Sequence, residues 1–435
     1  MSKKIQAVNT TRELINDDDF KSRHRINNKA FIRLRTLTFS IVLILVVRKS
    51  LKSLQLVLNE FSEEYDINPV TDSAFTQARA KLYHTAFIEL NQKAVCDVIY
   101  SDKHIKLYKG MRILGCDGSK ILLPDHKSII KEFGEISYSN DHPDVTGSHA
   151  YGLASVLYDV LNHVAIDSIL GKARDYEVNL AITHHLQFTE ENDLLIFDRN
   201  YPSYIFIALL ILPGKKFLMR CSAASFGTAR RMLNGEGPDD QTVVIKPHHT
   251  KRDEVREYGL PEEVKVRFVR VILDTGEYEV LVTNLLDTES FPLDDFKELY
   301  FLRWGTEGFY KIIKSRLNLE NFTGKTSEAV YQDFYAAVYL SGLESILIED
   351  SNVKLSEKDT NHPQQVNHAV SFNAIKNSAF KILGSDLDID VIVKKLEILF
   401  LTKPVVIREE RKAPRIKRSA RHRLSHATRK QKICF

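Results

Sequence analysis

The stretch YFLRWGTEGFYKIIK, residues 300–314, holds Tyr300, Arg303, Glu307 and Lys314. A hydroxyl, two cations and a carboxylate are the groups from which a phosphate-handling or metal-binding site is built. At about 100° per residue, with Tyr300 at zero, Arg303 falls near −60°, Glu307 near −20° and Lys314 near −40°, so a single helix would carry all four on one narrow stripe. On the far side Leu302, Phe309 and Ile313 form an apolar face suited to packing on a sheet. A plainer account competes with this one, because Arg303 with Glu307 and Glu307 with Lys311 are i, i+4 pairs that stabilise a solvated helix by only ~0.2–0.5 kcal/mol each.

Two aspartates shift the balance toward chemistry. Asp117 in RILGCDGSKILLP and Asp198 in NDLLIFDRNYPSY each stand at or just past the end of an apolar run that reads as a strand. A carboxylate there is costly unless it has a cation partner. Gly115 and Gly118 keep the backbone open around Asp117. Three carboxylates from two strand ends and one helix make a hard oxygen set suited to Mg2+ or Mn2+.

The elements that must position these groups follow from hydrophobic patterning. Residues 1–108 read as an all-helical module, with periodic apolar positions in SLKSLQLVLNEFSEEY and in DSAFTQARAKLYHTAFIELNQKAVCDVIY, the latter capped by Asp72 or Ser73. Such a module is either a DNA-reading unit or a plain helical bundle. Residues 109–222 read as strand, hairpin about Asn162, helix, strand, helix, strand. The second of those helices, YIFIALLILP, is stopped by Pro213 and Gly214. A mixed sheet with helices against it, of α+β class, is expected. Residues 223–286 alternate short β-like runs with turns and read as a β-rich insertion. The signature helix is expected to begin near Pro292, in a segment 287–345 that continues as helices. Residues 346–435 are helical and end in the tail RKAPRIKRSARHRLSHATRKQKICF, which has ten Lys or Arg and no acid. This tail either contacts a polyanion or is simply solvated.

The 435 residues, 43% hydrophobic and 27% charged with net charge +4, exclude disordered, fibrous and membrane classes. Cys96, Cys116, Cys221 and Cys434 form no C-x-x-C pair, which argues against a disulfide framework or a cysteine zinc site and for a reducing compartment. The run FSIVLILVV (39–47) is too short to span a membrane, for which roughly 20 residues are needed, and reads as a buried helix, neither signal peptide nor anchor. His184–His185 and His248–His249 point about 100° apart if helical and cannot easily share a metal. Asp125, Asp141 and Asp144 read as loop or capping groups, and Asp175 as the cap of the helix YEVNLAITHHL.

Y-x2-R-x3-E-x6-K, matched at every spacing by Tyr300, Arg303, Glu307 and Lys314, is the signature of the YREK group of bacterial insertion-sequence DDE transposases, the insertion-sequence-four-like family. The chain resembles that family. At about 5% per residue type the match would arise by chance in on the order of three chains per thousand. GCDGSK and FDRNYPSY resemble the family's first and second aspartate motifs in the right order, and LVTNL lies ahead of the signature helix; the resemblance covers roughly residues 70–345. It implies a ribonuclease-H-like catalytic domain interrupted by a β insertion. It also implies a metal-binding catalytic triad of Asp117, Asp198 and Glu307, with two Mg2+ ions or Mn2+ in substitution.

The chemistry so implied is cut-and-paste transposition, with cleavage at terminal inverted repeats and joining of 3′ ends to target DNA, often through a hairpinned end. The same residues would suit a related two-metal nuclease without strand transfer, or a DNA-binding relative that has lost activity. Arg303 can grip a phosphate bidentately and Lys314 as a point charge. Tyr300 either donates to a phosphate or packs, and Arg199 either orients Asp198 or touches DNA. Trp304, the single tryptophan, reads as a helix-packing residue. The family further implies a homodimer on double-stranded DNA, no membrane, and a bacterial cytoplasm at the nucleoid.

Overall fold

A computed structural model of the chain describes residues 2–33, 35–101, 105–139, 146–385 and 387–408. The basic tail, Cys434, Asp141 and Asp144 lie outside the described residues. A central sheet, nine-stranded among the described residues, comprises β1 (Arg112–Leu122), β2 (Glu135–Ser139), β3 (Thr146–Asp159), β4 (Val164–Lys172), β5 (Asp193–Phe197), β6 (Lys216–Arg220), β7 (Asp240–Ile245), β8 (Val264–Ile272) and β9 (Tyr278–Thr283). The strand order is β2-β3-β1-β5-β6-β9-β8-β7, with β4 also paired to β3.

The neighbours β4, β3 and β1 are antiparallel, whereas β5 and β6 run parallel to β1. This mixed sheet with helices is consistent with a ribonuclease-H-like architecture. The strands of the segment 223–286 continue the same sheet, β9 pairing with β6 and β8 with β9. Apolar residues alternate between two cores on the two faces of β1. Ile113 and Ile121 join one that also holds Leu194 and Ile196 of β5, and Leu114 and Cys116 join the other with Leu195 and Phe197. Strand parity therefore directs Gly115 and Asp117 to the first face and Gly118 to the second.

The N-terminal region is helical as patterned, and Phe39–Val47 is a buried helix capped by Thr38. Among the described residues no helix is long and apolar enough to cross a membrane. Three expectations need correction. The helix expected from Asp72 onward breaks after Arg79, because a bridge between Arg25 and Leu82 takes up the backbone there, and its cap is Thr71. Asp175 does not cap the helix Glu177–Leu180; it closes the preceding turn by accepting from the Lys172 amide at 2.6 Å.

The signature helix starts at Asp295 and is two helices, Asp295–Phe301 and Trp304–Lys311. At the joint the amides of Arg303, Gly305 and Thr306 donate to carbonyls three residues back, at 2.9–3.1 Å. Such a 3₁₀ turn winds about 120° per residue, so a uniform wheel misplaces the side chains beyond it. A π turn at Ile312–Arg316 unwinds the far end. The tight joint adjoins Gly305, a weak helix former, whose bare Cα lets the helix close on Val160.

Candidate active site

Asp117 and Asp198 arrive by strand register. β1 and β5 are parallel neighbours with Cys116 opposite Phe197, so the next pair is Asp117 and Asp198. Both side chains leave the sheet on the face covered by the helix Trp304–Lys311. That helix approaches closely because residue 115 is glycine: a Cβ there would fall 2.3 Å from the Thr306 hydroxyl oxygen. The Tyr310 hydroxyl, shared between the Asp117 and Ala154 carbonyls at 2.9 and 3.0 Å, fixes the helix along β1. Glu307 lies one turn earlier on the same helix and is linked to Asp117 through Arg303.

Arg303 joins the two. Its Nη2 donates to Glu307 Oε1 at 2.9 Å and its Nη1 lies 3.7 Å from Asp117 Oδ2. It is only 3% exposed, and Tyr300 only 4%. The polar stripe therefore faces the sheet edge, while Phe301, at 68%, and Trp304, at 40%, face outward. Trp304 is thus a rim residue, whose ring lies 5.0 Å from the Arg303 guanidinium. The Tyr300 hydroxyl, Arg303 Nε and Thr306 Oγ1 are buried without a hydrogen-bond partner, so three polar atoms beside the carboxylates await one. Lys314 turns inward, donating to Ser119 Oγ at 2.8 Å and to the Lys120 carbonyl at 2.6 Å; burial lowers its pKa. Arg199 is exposed, and no hydrogen bond joins it to Asp198.

Burial pushes the Asp117 carboxyl up to about 7; Arg303 opposes the shift, and the charges of Glu177 and Asp198 add to it. Two of the surrounding groups were not picked out by sequence reasoning. Glu177 is half-buried, its pKa raised by burial and by Asp198. Glu279, on β9, is raised by burial and paired with Arg220 at 3.0 Å. Glu177 follows a helix-opening turn and Glu279 sits in an alternating strand, so neither position differs in pattern from a solvated residue. The one signal was Gly118, the open position next to Asp117. Among the described residues no three His, Cys, Asp or Glu side chains stand close enough to hold an ion as they are.

His185 also has a role its pattern did not disclose. Fully buried, it lies 2.9 Å from Ser155 Oγ through Nε2 and 2.7 Å from Asp167 Oδ2 through Nδ1. Ser155 is itself inaccessible, so this Ser-His-Asp line is a clamp and cannot attack a substrate. A concavity of about 880 Å³ lies in the helical module, lined by Lys29, Arg33, Arg35 and Lys81 together with apolar residues that include Phe31 and Val70.

A family model described as the transposase DDE domain matches residues 108–341, more than half of the chain. A solved structure described as a piggyBac transposase synaptic complex with hairpin DNA aligns over 94% of this chain and 87% of that one, at 9% identity and a TM-score of 0.45. That similarity is too low to bear on function. No curated protein matches the chain at a significant level.

Proposed function

The chain belongs to the transposases with a DDE domain, and from that premise we propose that it cuts a DNA element at its terminal inverted repeats and joins the 3′ ends to target DNA. The observation that carries this reading is the register of Asp117 beside Asp198 on one face of the sheet, under the helix of Glu307. The spacing of Tyr300, Arg303, Glu307 and Lys314 supports membership of the YREK group.

The donor set fits a divalent cation: the oxygens are hard, burial and neighbouring carboxylates strain Asp117, and the buried Tyr300 and Thr306 hydroxyls nearby have no partner among the described residues. Asp117, Asp198 and Glu307 would hold two Mg2+ ions, or Mn2+ in their place, which supply activation of the attacking hydroxyl and neutralise the leaving oxygen. Arg303, which bonds Glu307 and stands 3.7 Å from Asp117, would exchange one of these carboxylates for a phosphate that its guanidinium grips bidentately. Tyr300 offers a buried hydroxyl to the same phosphate. Lys314 anchors the helix end on β1 and adds positive charge along the DNA path, with Arg199 on the exposed side of Asp198.

The helical module 1–108 contacts DNA through its cationic cleft, and residues 223–286 are an insertion that widens the sheet. Two copies act together, one on each end of the element, and the workplace is the bacterial nucleoid. The test uses purified full-length chain, Mg2+ and DNA carrying the inverted repeats that flank its gene. Wild type is expected to nick the repeat ends and join them to target DNA, with Asp117→Asn, Asp198→Asn and Glu307→Gln each losing both steps. Nicking that persists in all three variants overturns the assignment, and nicking without joining identifies a nuclease.

A further inference from the structure

Glu177 reaches this site from the face of the sheet opposite to Asp117. The helix it opens, Glu177–Leu180, packs into the second core through Val178, and the following π turn brings Ala181 to the same core. Its side chain lies over Gly118, where a Cβ would fall 2.6–2.7 Å from Glu177 Cγ, Cδ and Oε1. Because β5 ends at Phe197, opposite Cys116, β1 has no neighbour on that side from Asp117 onward among the described residues, and a carboxylate lying over Gly118 stands at this open edge, next to Asp117. The other end of the same helical segment is clamped by His185 to Ser155 of β3 and Asp167 of β4, and Ser155 is the register partner of Gly118. The clamp on Ser155 and the close approach over Gly118, its cross-strand partner, fix where the Glu177 carboxylate stands.

We infer that Glu177 is a fourth carboxylate of this centre, joining Asp117 and Asp198 in holding the divalent cation; the inference rests on the function proposed above. Two further observations point to a ligand here. Tyr300 is more than nine-tenths buried, its hydroxyl has no partner among the described residues, and it feels the charge of Asp198. Glu177 also borders a cavity of about 530 Å³, lined by Lys120, Arg174 and Asn200 among others, which gives it an open approach. A carboxylate packed on a glycine, with a histidine clamp behind it, is oriented in the way that supporting groups orient metal ligands.

Trp304, the single tryptophan, stacks on Arg303 and reports the site by its fluorescence. Full-length protein without DNA is titrated with Mn2+, alongside Glu177→Gln, Glu177→Asp, Gly118→Ala and Asp198→Asn, with thermal melts run on each. Glu177→Gln is expected to weaken Mn2+ quenching on the order of 10- to 100-fold, with Glu177→Asp in between. Gly118→Ala, which displaces the carboxylate but keeps its charge, is expected to match Glu177→Gln. Wild-type quenching in Glu177→Gln, with quenching lost in Asp198→Asn, overturns the role of Glu177 alone. Wild-type quenching in Asp198→Asn as well overturns the cation site itself. Should Glu177→Gln fail to fold, a wild-type titration in Glu177→Asp and Gly118→Ala is the overturning result.

Discussion

Gly115→Ala tests whether the signature helix is positioned by contact with β1. The new methyl group would meet Thr306 Oγ1 at 2.3 Å and Val160 Cγ1 at 3.3 Å. Thr306 is fully buried and sits in a helix tied down by Tyr310, so its side chain has nowhere to swing. Restoring ordinary contact needs about 1 Å of outward helix movement. Overpacking of this kind costs about 1–3 kcal/mol, and a misplacement of about 1 Å at a catalytic group costs on the order of 100-fold in rate.

Thr306→Ala is the natural partner in a double-mutant cycle. It deletes the hydroxyl that clashes, and that hydroxyl has no hydrogen bond to lose; its Cβ, 3.6 Å from the new methyl, is in ordinary contact. Urea unfolding of the four proteins should therefore give a favourable coupling of about 1–3 kcal/mol in the double variant, and DNA nicking should recover in step. A Gly115→Ala protein as stable and active as wild type, or one that Thr306→Ala fails to rescue, would refute the reasoning.

Two predictions concern the helical shell. Asp333 on the long helix Ser327–Ser356 is wholly buried, bound to Arg79 at 2.8 Å and to the Thr323 amide at 2.7 Å, with Lys49 at 3.7 Å. Asp333→Ala leaves buried cations uncompensated and is expected to lower unfolding free energy by about 3–5 kcal/mol; a urea midpoint within error of wild type would contradict this. His368 lies 2.8 Å from buried Glu344. Burial disfavours its charged form and Arg316 adds to that, but the hydrogen bond and charge of Glu344 outweigh both and raise its pKa. Because the folded-state value exceeds the unfolded one of about 6.5, the contribution is complete below that pH and is lost as pH rises through the higher folded value. Thermal melts across pH 5–9 should show that loss in wild type and not in Glu344→Gln; identical profiles would refute it.

The parts of the fold legible in sequence were those with a period of their own. The apolar runs around Asp117 and Asp198 become β1 and β5, β1 joining the runs on both sides of Asp117 into one strand. The hairpin about Asn162 and the buried helix Phe39–Val47 come from the same signals. Tertiary contacts override the pattern elsewhere. Nothing local breaks the helix after Arg79; the pairing of Leu82 with Arg25 does. Nothing local tightens the chain at Arg303 either, apart from a glycine whose use becomes visible only when Val160 stands against it.

The site shows the same division. Asp117 and Asp198 stand out because carboxylates in or beside apolar runs are expensive; Asp198 does lie just past β5, but Asp117 is mid-strand, because β1 continues to Leu122 paired with β3, and the register of β1 on β5 brings the two aspartates near each other. The helix wheel recovers which residues share a face but not which way the face looks. Tyr300 and Arg303 turn to the sheet edge because Phe309 and Ile313 bury into the core from the adjoining flank and Phe301 and Trp304 take the outer surface. Glu177 is a harder case, since its sequence neighbours describe a helix start and its chemical neighbours lie across a sheet. Gly118 alone marks the connection. A glycine beside a carboxylate reads as freedom of the backbone, whereas Gly118 lies within β1 and its φ is not in the left-handed region. What the position needs is the absence of a side chain, and that need comes from an element not yet in view when β1 is read.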